Sequence, residues 1–205
     1  MRPTFWSSGS AQKAAQAVDF RHSASHTEAR IVQSDQFERP NYFDGKLLSA
    51  EDLRREQDYR RNKARLHNRF LHGWGVVQGL RVSLGEGTVV VSPGLALDCC
   101  GNELVLPCEE SVTLAGVVGR HWLCVRYVEV PVGKVPALTG DAEPSLIREA
   151  VVLELSPTNP MAGHITRRKQ RIGCGESHGL PLAVVSRRAT RWNVVPVRSS
   201  VLPCE

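Results

Sequence analysis

The spacing of apolar positions changes twice along this chain of 205 residues. From residue 1 to about 38 the large apolar side chains (Phe5, Trp6, Phe20, Ile31, Val32 and Phe37) are scattered among Ser, Ala, Gln and Thr and share no period. Such a stretch buries too little apolar surface to order itself. Residues 1–38 are therefore expected to be a flexible tail, or an arm that orders against a neighbouring subunit with Phe5 and Trp6 as anchors. A turn follows over 39–46, where Pro40 keeps its predecessor extended and Asp44-Gly45 is a strong turn signal. Ser49 then reads as a helix N-cap, with Asp52 placing a carboxylate beside the first-turn N–H groups. The full capping box prefers Glu or Gln at that place. The helix is predicted to run to about His72, roughly 33 Å at about 1.5 Å per residue, with Gly73 supplying an αL stop. Leu53, Tyr59, Leu66 and Phe70 recur at a loose spacing of three to four on a charged cylinder. That pattern suits a helix lying on a surface or between subunits.

Beyond Gly73 the pattern becomes that of short β segments with turns between them. Candidate strands cover 76–82, 88–92, 95–98, 103–106, 112–114, 122–130, 148–155, 180–187 and 193–197. Gly85-Glu86-Gly87, Pro93-Gly94 and Gly101-Asn102 punctuate the first of them, and Leu123, Val125 and Tyr127 alternate cleanly with Arg126. Residues 131–144 and 157–178 read as long loops, the second strongly basic. The predicted fold class is α+β, mainly β: one long helix in the N-terminal half, then a sandwich- or barrel-like domain of short antiparallel strands. The expected organisation is an arm (1–38), a turn and helix (39–74) and a β-rich domain (75–205).

Composition changes little in this picture. An apolar fraction of 41% with 12 prolines and 17 glycines is ordinary for a turn-rich globular chain. Six unevenly spaced cysteines make no disulfide scaffold, and a reducing compartment argues against bridges. No apolar run approaches the roughly 20 residues that cross a bilayer. The first residues show no apolar core of a secretory signal. The expected location is the cytoplasm, within an assembled particle that is released or docked at a membrane.

Charge is more informative. Residues 54–69 carry seven basic against two acidic residues and 167–191 seven against one, while the remainder is acidic, twelve against eighteen. Such asymmetry points to electropositive surface facing something specific. The residues expected to dock a partner are Leu53, Tyr59, Arg60, Arg61, Leu66, Arg69 and Phe70 on the helix, with Arg167, Arg168, Lys169 and Arg171 in the basic loop. The arginines suit phosphate geometry, but no nucleic-acid motif accompanies them, and an acidic patch on a neighbouring subunit accounts for them equally.

Catalytic signatures are not found. The cluster Gly73-Trp74-Gly75-Val76-Val77-Gln78-Gly79 leaves a helix and enters a strand, the reverse of a phosphate-binding loop. Asp44, Gly45, Gly73, Trp74, Gly75 and Gly79 are accordingly read as turn formers, with Trp74 packed beneath the helix-to-strand turn. Cys174 and His178 are spaced like half of a zinc site that Cys99, Cys100 or Cys108 would close, but C-x-x-C knuckles are missing. No enzyme activity, cofactor or bound metal is expected.

One stretch is more specific. It comprises Asn41-Tyr42-Phe43-Asp44-Gly45-Lys46-Leu47-Leu48, then Leu66-His67-Asn68 and Leu71-His72-Gly73-Trp74-Gly75-Val76-Val77 with Gly79-Leu80, then Pro93-Gly94-Leu95-Ala96-Leu97-Asp98 with Gly101 and Glu103. It resembles a family of proteins associated with phage-like contractile injection systems and phage tails, departing from it at Gln78, where the family pattern has cysteine. The resemblance implies a structural component at the baseplate or tail periphery. Its expected partners are other subunits of a contractile tail or baseplate, with a symmetric homo-oligomer or ring within it. The rival readings are a carbohydrate- or receptor-binding β module, favoured by exposure of Trp122 or Trp192 in a concave site, and a small metal-binding protein.

Overall fold

A computed structural model describes residues 37–138, 140–162 and 174–197. The helix α1 spans Ala50–His67 and continues through a π-turn, Asn68–His72. Among the described residues ten strands follow: β1 (Gly75–Gly79), β2 (Val82–Leu84), β3 (Thr88–Val91), β4 (Gly94–Leu97), β5 (Glu103–Leu106), β6 (Glu110–Thr113), β7 (Arg120–Pro136), β8 (Ala142–Ser156), β9 (Leu180–Arg188) and β10 (Arg191–Pro196). They form three sheets with orders β1-β4-β5, β2-β3-β6 and β10-β9-β7-β8, and every strand pair is antiparallel. The fold is α+β and mainly β, as the sequence predicts. Among the described residues no helix is long and apolar enough to cross a membrane.

The sheets share one core. Val89 and Val91 from β3, Leu104 and Leu106 from β5, Leu123 and Val125 from β7, and Leu180, Leu182 and Val185 from β9 meet there with Trp74. On β5 the alternation is strict: Leu104 and Leu106 face inward while Glu103 and Val105 face water, the period-two arrangement that one buried face imposes. Each fully buried Leu or Val contributes about 1.5–3 kcal/mol.

The predicted single strand over 76–82 is two strands in two sheets. Gly79 (φ 68°) and Leu80 (φ 52°) turn the chain out of β1 before β2 begins, and the Leu80 amide donates to the Pro93 carbonyl at 3.2 Å. A β-carbon on Gly79 would strike the Pro93 carbonyl, and one on Gly94 would strike the Gln78 carbonyl. Glycine at both places lets a β-hairpin bend sharply from one sheet into the next.

Much of the predicted loop over 131–144 is strand, with β7 running on to Pro136 and β8 beginning at Ala142. β7 and β8 stay in register from Trp122↔Ser156 out to Pro136↔Ala142, whereas β7 pairs with β9 only from Arg120 to Val125. The outer part is thus a two-stranded ribbon whose strands each have one open edge. Pro131, Pro136 and Pro144 all lie within this ribbon, where each strand has an edge free of ladder hydrogen bonds.

Candidate interaction surface

The start of α1 is held more tightly than the sequence suggested. Ser49 and Asp52 form a full capping box: the Asp52 amide donates to Ser49 Oγ at 3.1 Å, and the Ser49 amide donates to Asp52 Oδ2 at 3.1 Å. Aspartate closes the box here because Lys46 Nζ, brought round by the preceding turn, donates to its other oxygen at 2.9 Å. Lys46 first, then the Ser49 hydroxyl and amide, hold the Asp52 carboxyl well below the usual carboxylate range. The turn itself is Phe43–Lys46, closed by the Lys46 amide on the Phe43 carbonyl at 3.1 Å with Gly45 at φ 84°, so Asp44 and Gly45 stand where expected. Gly73 stops the helix at φ 77°, ψ −143° rather than in the αL region predicted for it. Its amide reaches back to the Asn68 carbonyl at 2.9 Å, the bond of a π-turn. Trp74 is buried beneath this exit, and Gly75 (φ 138°) opens β1.

Among the described residues, hydrogen bonds and ion pairs from α1 to the sheets begin at Arg61. Arg61 Nη1 reaches Glu129 on β7 at 3.2 Å, and Arg65 Nη2 lies 3.7 Å from the same carboxylate. Arg65 Nε donates to Asn102 Oδ1 at 2.7 Å, and Asn68 Nδ2 donates to the Gly101 carbonyl at 2.9 Å. The turn that receives the helix is organised by Asp98, which is only 1% exposed. Its Oδ1 accepts the Cys100 and Asn102 amides, both at 2.8 Å, and its Oδ2 accepts Asn102 Nδ2 at 2.8 Å and Ser177 Oγ at 2.9 Å. A β-carbon on Gly101 (φ 91°) would run into the Arg65 backbone, so glycine permits the helix to seat. The Asp98-x-x-Gly101-Asn102 pattern carried this signal, an aspartate binding backbone two residues ahead; the sequence reading used only its turn propensity.

The predicted docking residues divide. Leu53 and Phe70 are each 53% exposed, while Tyr59 and Leu66 are half-buried, and α1 contains no buried residue. The turn leading into the helix adds Tyr42, Phe43, Leu47 (92%) and Leu48 (60%) to the exposed apolar residues. The basic face is not bare. Arg60 pairs with Glu56 at 2.8 Å, Arg61 also bonds Asp58, and Arg54 and Arg55 share Glu51. Arg69 lies against Gly175 and beside the Phe70 ring. Much of the charge that looked available for a partner is thus used within the chain. Arg167, Arg168, Lys169 and Arg171 lie outside the described residues, as does the arm through residue 36.

The sequence reading missed the ribbon. Its outer part exposes Val130, Val135, Leu138, Leu146 and Ile147. Between it and α1 lies an open groove of about 740 Å³, lined among others by Arg60, Ala64, Tyr127, Glu129, Leu146 and Ile147. Tyr127 donates to Glu129 Oε1 at 3.0 Å; burial and that carboxylate raise its phenol above the ordinary value.

Other candidate chemistry is not assembled. Cys108 bonds Glu110, His178 Nε2 sits 3.6 Å from Glu176, and no group of three or more metal-ligating side chains is found among the described residues. Trp122 and Trp192 are half-buried, with the Arg120 and Arg187 guanidinium groups 4.6 and 5.5 Å from their ring centres.

No family model matches the chain, and no curated protein does. Among solved structures, the chain is similar to one from the type VI secretion system TssK-TssF-TssG baseplate subcomplex. That likeness has 14% identity and a TM-score of 0.48 over 77% of this chain and 60% of the other. A crystal structure of TssK is similar at 13% identity and a TM-score of 0.40, over 77% of this chain and 41% of its own. The chain therefore spans less than two thirds of the length of either.

Proposed function

We propose that the chain is a non-catalytic structural subunit of a phage-tail-like contractile injection particle. It docks to baseplate, cap or fibre neighbours through α1, the turn before it and the N-terminal arm. Two supports are independent of each other. The first is the sequence resemblance, whose residues fall on parts that serve architecture: the Asp44-Gly45 turn, the Gly79–Pro93–Gly94 corner and the Asp98–Asn102 turn. The second carries the reading. A helix with no buried residue, preceded by a turn exposing Phe43, Leu47 and Leu48, is apolar surface that the described residues leave uncovered. Such surface marks a contact with another macromolecule. The docking residues proposed are Leu53, Tyr59, Arg60, Arg61, Leu66, Arg69 and Phe70, together with Arg167, Arg168, Lys169 and Arg171 of the basic loop. Association into a symmetric ring follows the usual closure of such assemblies.

The test is co-purification. Full-length protein expressed with sheath, tube and baseplate subunits should enter particles, and Leu47→Ser/Leu48→Ser should lose incorporation while remaining folded by circular dichroism. A folded wild-type monomer absent from purified particles overturns the proposal.

A further inference from the structure

Cys99 and Cys174 are 75 positions apart in sequence, yet they meet at the junction where α1 is seated. Cys99 follows Asp98 in the turn that receives the helix and is only 2% exposed; Cys174 is exposed. The backbones are tied together, since the Gly175 amide donates to the Cys99 carbonyl at 3.1 Å. Two positions on, Ser177 Oγ donates to Asp98 at 2.9 Å. Cys174 lies close enough to influence the Cys99 thiol, while its own sulfur donates to the Glu176 carbonyl at 3.7 Å and accepts the Glu176 amide at 3.4 Å. Arg69, at the end of the helix, packs on Gly175. Segment 174–178 is therefore fastened to the Asp98–Asn102 turn by two hydrogen bonds, which bring the two cysteines side by side.

We propose that Cys99 and Cys174 form a redox-responsive clip, in which a low-molecular-weight disulfide oxidises the pair to an intrachain bond that locks segment 174–178 onto the turn beneath α1. The exposed Cys174 thiolate attacks the disulfide RSSR, forming a mixed disulfide and releasing one RS⁻. Cys99 then attacks the Cys174 sulfur, releasing the second RS⁻. The two cysteines lose two electrons, RSSR gains them, and the two thiol protons end on the two departing thiols. The buried partner is poorly reactive by itself, because burial pushes the Cys99 thiol up to about 12. The order of events follows: solvent-facing sulfur first, sheltered sulfur second. In a reducing compartment the pair stays as two thiols. The clip stands on this geometry alone and is independent of the proposed assembly role.

Full-length protein is incubated with oxidised glutathione, quenched in acid and weighed intact. The expected product is lighter by two hydrogens, carries no glutathione and links the Cys99 and Cys174 peptides. Cys100→Ser should form it as well. Cys174→Ser, a change at an exposed position that leaves the fold intact, should abolish it. Oxidation should raise the unfolding temperature of the wild type, because it closes a long loop in the unfolded chain, and leave that of Cys174→Ser unchanged. A wild type that keeps glutathione on Cys174, or a Cys99→Ser variant that still links Cys174 to Cys100, overturns the proposal.

Discussion

Replacing Asp98 by alanine tests whether a polar turn, rather than apolar packing, holds the helix. The carboxylate collects four donors at 2.8–2.9 Å from a nearly inaccessible position. Ser177 is exposed, so its hydroxyl can turn to water and its loss costs little. The two Asn102 donors are buried and the Cys100 amide partly so. Each buried donor left without a partner costs about 1–3 kcal/mol. At the lower half of that range, three of them give about 3–6 kcal/mol, a large share of a typical domain's 5–15 kcal/mol. With a urea m-value of about 2 kcal/mol/M, the midpoint should fall by about 1.5–3 M. Asp98→Asn keeps one acceptor oxygen and should fall about half as far, while Ser177→Ala should shift it by less than about 0.5 M. Hydrogen exchange adds a second readout: the amides of α1 from Arg61 onward should lose protection in Asp98→Ala, because Asn102 and Gly101 no longer hold Arg65 and Asn68. An Asp98→Ala midpoint within about 0.5 M of wild type, at unchanged m, would refute the reasoning.

Gly101→Ala places a β-carbon against the Arg65 backbone at φ 91° and should cost about 2–4 kcal/mol by thermal or urea melts. The capping box should make helix stability depend on acid. Asp52 has its folded pKa depressed, so its contribution is complete above the unfolded value near 3.9. It is lost as pH falls from about 4 through the lower folded value. The stability gap between wild type and Asp52→Asn should be constant above about pH 5 and close toward pH 2; a gap that widens in acid contradicts the assignment. Ser49→Ala should cost about 1 kcal/mol at neutral pH. Leu146→Ser with Ile147→Ser, on the exposed ribbon, should leave the melting temperature within the scatter of surface changes, about 0.5 kcal/mol, yet reduce incorporation into particles.

What the sequence disclosed follows physical range. Local signals were legible: the Asp44-Gly45 turn, the Ser49 cap, the helix end at Gly73, and the strict alternation that buries Leu104 and Leu106. Signals that depend on a distant partner were not. Asp52 looked like an imperfect box residue because its second donor, Lys46, arrives only after the turn has folded. Residues 131–144 read as a loop because nothing in the sequence says that β7 and β8 stay paired beyond Val125, where β9 stops. The corner at Gly79 and Gly94 needs two chain segments in contact before either glycine has a reason. The arginines of α1 read as a free basic face because counting charge does not show which of them pair with Glu51, Glu56, Asp58 and Glu129.

The same charge pairing bears on how the proposed docking would work. With its arginines paired to carboxylates, α1 offers a partner less free charge, and exposed apolar residues gather at its start, Phe43, Leu47 and Leu48 before the helix and Leu53 near its beginning, with Phe70 apart at the far end. Full burial of one such side chain yields about 1.5–3 kcal/mol from a fully exposed start. The four residues at the start of α1, which begin between half and fully exposed, therefore supply on the order of 4–8 kcal/mol. Association alone costs about 4–15 kcal/mol. A single contact at this end of the molecule thus comes out near zero and would not hold two subunits at cellular concentrations. A second contact carried by the same rigid body changes that balance, because it forms at high effective concentration once the first has formed. The exposed outer ribbon, with Leu146 and Ile147 across the groove from α1, is the described surface suited to provide it. On this account the chain is weakly sticky alone and firmly held only when both surfaces are engaged, which is the behaviour required of a subunit that must join a ring without aggregating beforehand.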